Sequence, residues 1–169
     1  MGKKGLCAPY GLASALHDLG ACDNQGADLG ARIAKAAPKL ARGDDAIKAC
    51  VFEMRQAGWQ VDQAFTERGS FSPTRHVTRN PALVQLTEDH AVAIVGDDAG
   101  QWIYDPNEEQ ALPLTHDSLS RCMGAGRRYE SRGCKRAYSF APGKQALKAA
   151  KRTSPKGLRG RRVHDSSVG

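Results

Sequence analysis

Between His90 and Asp105 the chain reads His-Ala-Val-Ala-Ile-Val-Gly, then Asp-Asp-Ala-Gly, then Gln-Trp-Ile-Tyr-Asp. A Val/Ile-rich run, a Gly/Asp turn and a second β-prone run predict an antiparallel hairpin. With Asp97 and Asp98 as its two central residues, Gly96 pairs with Ala99 and paired residue numbers sum to 195. The same sum sets His90 opposite Asp105. Directly opposed residues hold their Cβ atoms about 4.5–5.5 Å apart, close enough for a carboxylate to meet an imidazole. A His held by an Asp is a general base that lacks only a nucleophile. A His and an Asp at strand ends are also ordinary solvated residues, and the hairpin alone does not choose between the two.

A nucleophile is available at the other end of the chain. Pro9 to Leu19 reads as a helix, with Leu12, Ala15, Leu16 and Leu19 on one face and Gly20 as its stop. Pro9 suits the first turn, where its missing N–H does no harm. Cys7 is then expected just ahead of this helix or at its N-cap, where the positive end of the helix dipole favours a thiolate. The alternative for such a Cys is a small buried apolar residue.

The remaining elements follow in order. Asp28 to Ala37 predicts a second helix stopped by Pro38, and Asp44-Asp45 open a third that ends at Gly58. Cys50 lies in the third helix's apolar stripe and reads as core. Trp59 to Asp62 and Ala82 to Leu86 read as strands. The polar segment Thr66 to Arg79 between them reads as an exposed loop, with His76 a surface residue. After the hairpin, Asn107 to Glu109 predict a turn and Gln110 to Leu114 a strand. A short helix capped by Thr115 or Asp117 runs through Leu119, Cys122 and Met123. Gly124 to Gly133 is a Gly/Arg loop, and Lys135 to Phe140 a last strand with Ala137 and Ser139 on one face. Helices first and an antiparallel sheet second is an α+β arrangement.

The formal charge of +7 is not spread evenly. Gly143 to Gly169 carries eight Lys or Arg against one acidic residue, Asp165, while the remainder holds 17 of each sign. Residues 1–142 therefore read as one domain and residues 143–169 as a basic, disordered tail. That tail suits nucleic acid, an anionic membrane surface or an acidic partner, or serves only as a solubilising terminus. It has no aromatic residue for base stacking. The first residues are basic but no apolar h-region follows, so neither a signal peptide nor a membrane span is expected. Five cysteines, an odd number in no disulfide-dense pattern, read as free thiols in a reducing compartment, which implies the cytoplasm or delivery into a host cell. No Cys-x-x-Cys or His-Glu-x-x-His spacing announces a metal, and no cofactor is implied. Abundant Ala, Gly and Arg fit a GC-rich bacterial or phage source.

Cys7, then His90 and Asp105 in that order, with Cys-x-x-x-x-Leu-Ala-Ser-Ala-Leu, Asn-Pro-Ala-Leu-Val-Gln-Leu before the His, and Trp-Ile-Tyr-Asp-Pro-Asn, resembles the papain-like peptidases that cut leader peptides at double-glycine sites. The likeness runs over most of the domain and is most specific from His90 to Asp105. It implies a papain-like cysteine peptidase fold, with N-terminal helices packed on a C-terminal antiparallel sheet. It also implies a peptide or protein substrate and a catalytic triad of Cys7, His90 and Asp105. One departure stands out. That family carries a Gln six residues before the Cys as an oxyanion donor, and Met1 stands there in this sequence. A processed chain, a substitute donor such as Lys3 or Lys4, or a degenerate, docking-only site each accounts for this. Transglutaminase-like enzymes and peptidoglycan amidases share the Cys–His order and stay open as alternatives.

Overall fold

The computed structural model describes residues 7–39, 44–63, 80–87, 90–97, 100–124 and 136–142. Among these, four helices and six strands form: α1 (Cys7–Leu19), α2 (Leu29–Ala36), α3 (Asp44–Gln56), β1 (Gln60–Gln63), β2 (Ala82–Thr87), β3 (His90–Asp97), β4 (Gly100–Tyr104), β5 (Leu112–Pro113), α4 (His116–Met123) and β6 (Arg136–Ala141). The strands make one antiparallel sheet in the order β1-β6-β2-β3-β4-β5. The expected α+β class holds, with three of the four helices ahead of the first strand and α4 between β5 and β6.

The sheet is covered on both faces. Ala91, Ala93 and Val95 of β3 join Leu83, Tyr104 and Phe140 in a core shared with α1, α2 and α3. Val92 and Ile94 alternate to the other side, where they meet Val84, Ile103, Leu119 and Cys122 in a second cluster under α4. A strand apolar at nearly every position is what burial on both faces demands, and it explains the unbroken Ala-Val-Ala-Ile-Val run. In β6 the two sides are equally clear: Ala137 belongs to the second cluster and Phe140 to the first.

Local chemistry sets the element ends. Asp28 caps α2 by accepting from the Ala31 N–H, and Thr115 caps α4 by accepting from the Ser118 N–H. Pro38 does not end the second helix sharply; a 3-10 turn over Ala37–Lys39 carries it. Gly58 takes φ +90° after α3 and lets Trp59 turn back into the core. The Trp59 indole N–H then donates to the Cys22 carbonyl at 2.9 Å, tying the α1–α2 connection to the start of β1.

The first helix lies directly on the sheet. A Cβ built at Gly11 would stand 2.8 Å from the Tyr104 carbonyl oxygen, so only Gly permits this approach. A Cβ at Gly30 would stand 2.4 Å from the Ala13 carbonyl oxygen, the corresponding close approach of α2 to α1. At the far end of α1, the Tyr104 hydroxyl donates to buried Asp18 at 2.9 Å. One residue of β4 is thus gripped by α1 through its main chain and its side chain.

The loop expected over Thr66 to Arg79 with its His76, most of the Gly124 to Gly133 loop and the tail of residues 143–169 lie outside the described residues.

Candidate active site

The hairpin forms with a different register from the one expected. Asp97 pairs with Gly100, and paired numbers sum to 197. Gly100 sits at φ +148°, a conformation that glycine takes readily and alanine does not. The ladder therefore closes on Asp97 and Gly100 and not on Gly96 and Ala99. On this register Asp105 would face Val92, and His90 lies one diagonal step further along. A slip of one residue would have sent Asp105 to the other side of the sheet, whereas a slip of two preserves the face. The ladder ends at Ala93–Tyr104, and Asp105 lies just beyond it.

Freed from the ladder, Asp105 folds back on His90. Its Oδ1 accepts the Asn107 N–H at 2.9 Å and its carbonyl accepts the Glu108 N–H at 2.9 Å. This Asx turn, with Pro106 holding the second position, covers residues 105–108 and so begins ahead of the turn expected at Asn107 to Glu109. The other carboxylate oxygen, Oδ2, accepts from His90 Nε2 at 2.9 Å. Asp105 is 2% exposed and the His90 side chain 11%, so the pair is shielded from solvent. A bulge in β2 between Gln85 and Thr87, opposite the start of β3, bends the sheet just where His90 begins its strand.

Cys7 completes the cluster. It is the first residue of α1 and not a residue ahead of it; because Pro9 needs no N–H partner, the first turn extends two residues further toward the N-terminus. Gly11, one turn later, lets the helix approach the sheet end, and Cys7 lies close enough to His90 to raise its pKa.

The electrostatics follow from these contacts. Burial pulls His90 toward the neutral form, but the hydrogen bond to the Asp105 carboxylate and the nearness of Cys7 outweigh it and push its pKa up to about 10. His90 is therefore an imidazolium at neutral pH. The other described cysteines near cores behave differently. Burial, then the charge of Glu53, pushes the Cys50 thiol well up. Burial, then the Asp105 carboxylate, does the same to Cys122. Both remain S–H.

Residues that sequence reasoning did not single out complete the surroundings. Cys122, buried in the second core cluster, lies near the Asp105 carboxylate. Its neighbour Arg121 makes a two-point pair with Glu108, Nε to Oε1 and a terminal nitrogen to Oε2, both at 2.8 Å. The Asp-Pro-Asn run signals the turn, but nothing in the sequence pairs Arg121 with Glu108. Among the described residues no group of three or more His, Cys, Asp or Glu is arranged to hold a metal ion. None of the described helices is long and apolar enough to cross a membrane.

Compared with protein-family models, curated proteins and solved structures, the chain matches none.

Proposed function

We propose that this chain is a papain-like thiol peptidase that cleaves a peptide bond through Cys7, His90 and Asp105. The observation that carries the reading is the shielded His90–Asp105 pair at 2.9 Å with the helix-initial Cys7 close enough to bear on the imidazole. A surface His–Asp pair has no reason to recruit a thiol at a helix N-terminus.

His90 holds the Cys7 proton, leaving a thiolate–imidazolium pair. The thiolate sulfur attacks the substrate carbonyl carbon, and the carbonyl π electrons move to oxygen. As the oxyanion collapses, His90 gives its proton to the amine, the C–N bond breaks and a thioester remains. Water then adds to the thioester with His90 taking its proton. The C–S bond breaks, the acid leaves and the ion pair is restored. Asp105 keeps Nε2–H oriented and stabilises the imidazolium throughout.

The Cys7 backbone N–H is one of the orphan donors of a helix start, and in this reading it supplies one donor to the oxyanion. The family's second donor, a Gln, has no counterpart at Met1. Removal of one such donor lowers turnover by about a hundred- to a thousand-fold, so slow turnover is expected unless another group serves.

That departure is the observation favouring a second reading, a papain-like module that binds peptides without cutting them. A peptide-based thiol electrophile separates the two. The peptidase reading expects a stoichiometric adduct on Cys7, cleavage of a peptide library, and loss of both in Cys7→Ala. An adduct-free protein, or a Cys7→Ala variant that cuts as well as the parent, ends the peptidase reading.

A further inference from the structure

Helix α1 carries Cys7 and strand β4 leads into Asp105, so the two must keep one fixed setting for the site to hold together. Cys7, Gly11, Ser14 and Asp18 recur at steps of four, three and four residues, which puts them on one face of α1. Tyr104, the residue before Asp105, meets that face at two points. Its carbonyl oxygen would stand 2.8 Å from a Cβ at Gly11, and its hydroxyl donates to Asp18 Oδ2 at 2.9 Å. Seven residues of helix separate the two points, about 10 Å along the axis. The Pro106 ring, on the other side of Asp105, would stand 3.4 Å from the same Gly11 Cβ. The first turns of α1 are therefore seated on the two residues that flank Asp105.

The polar contact is a costly one. Tyr104 is fully buried and Asp18 nearly so, and Asp18 stands in the last turn of α1, where the helix dipole disfavours a carboxylate. A Phe against an aliphatic side chain would fill the same space without that cost. What the hydrogen bond adds is direction. The carbonyl at Gly11 is a stop: it limits how near α1 comes to the sheet but leaves the helix free to turn or slide. A directional bond two turns further along removes both freedoms. We infer that Tyr104 is a positioning residue of the site: bonded to Asp18 and seated on Gly11, it fixes the rotation and axial setting of α1, and with them the place of Cys7 beside the His90–Asp105 pair. The consequence for turnover rests on the peptidase reading, and the consequence for the thiol does not.

The test compares four full-length proteins: parent, Asp18→Asn, Tyr104→Phe, and Tyr104→Phe combined with Asp18→Val. Each is followed by thermal melting, by the rate at which iodoacetamide modifies Cys7 at neutral pH, read by mass, and by peptide kcat and KM. Asp18→Asn keeps an acceptor for the phenol and should match the parent in the last two. Tyr104→Phe keeps the ring and removes the bond. It should slow Cys7 modification and lower kcat by about ten- to a hundred-fold, with KM unchanged, the scale expected of a displacement of about 1 Å. The double variant takes away both partners and should melt above Tyr104→Phe, yet its Cys7 modification and kcat should stay low. Recovery of those two along with the melting point would show that the pair only stabilises the fold, and would overturn the inference. Parent-like modification of Cys7 in Tyr104→Phe would overturn it as well, and that single variant decides if the double one does not fold. If Cys7 modification slows as expected but no protein, parent included, cuts peptide, the positioning role stands and the peptidase reading fails.

Discussion

His90 is a cation at neutral pH because it sits between two groups that are more stable with a positive neighbour than without one. In an unfolded chain its pKa returns to about 6.5. The folded state therefore binds more protons between about pH 6.5 and about pH 10, and the linkage sign follows. The stability that this group contributes is fully present below pH 6.5 and is lost as pH rises through about 10. Denaturant midpoints should fall from pH 7 to pH 10, and should fall less in His90→Gln. Turnover should drop on the alkaline side near the same value as the imidazolium loses its proton, a limb that is absent if His90 is not the acid. The thiols give a second check. Iodoacetamide at neutral pH should modify Cys7 while Cys50 and Cys122, held as S–H by burial, stay unlabelled by mass until the protein unfolds. Equal labelling of the three would remove the case for a special thiol at position 7.

The elements meet through close backbone approaches. Gly11→Ala sets a methyl group 2.8 Å from a carbonyl oxygen of β4, and since that atom is backbone, the helix must move. The expected loss is about 1–3 kcal/mol of stability, with a larger fall in activity because Cys7 rides on the displaced turn. Gly30→Ala meets Ala13 and His17 main-chain atoms on the side of α1 away from the sheet. It should destabilise by a similar or greater amount and lower the activity of the remaining folded molecules less. Equal ratios of activity to stability in the two variants would mean that α1's seat on the sheet does not set the Cys7–His90 contact. Thr115→Ala, which removes the cap of α4, should cost about 1 kcal/mol by thermal melting.

At the scale of the molecule, a two-faced sheet separates a three-helix layer from α4, and the site lies at the sheet's end, reached from both sides. Removing residues 143–169 takes the formal charge from +7 to zero and touches none of the described contacts. Peptide turnover should be unchanged by this truncation. Any binding to a nucleic acid should be lost with it and should fall steeply with salt in the full chain. Much of this architecture was legible in the residues. Leu12 and Leu16 marked α1, Thr115 or Asp117 marked the cap of α4, of which Thr115 is the one used, and the Val/Ile run marked the central strand, because period and capping are local properties. The nearness of His90 and Asp105 was also legible, since face parity survives a two-residue slip, although the register itself was not. The chain alone determined the element types, the faces of β3 and the local chemistry of the Asp-Pro-Asn turn, all governed by interactions within a few residues. Tertiary structure decided the rest. It brought Cys7 to His90, set Gly11 over Tyr104, and laid α4 beneath the Asp105 turn. Those contacts join residues far apart in sequence, and their energies depend on how whole faces pack, which no local pattern encodes.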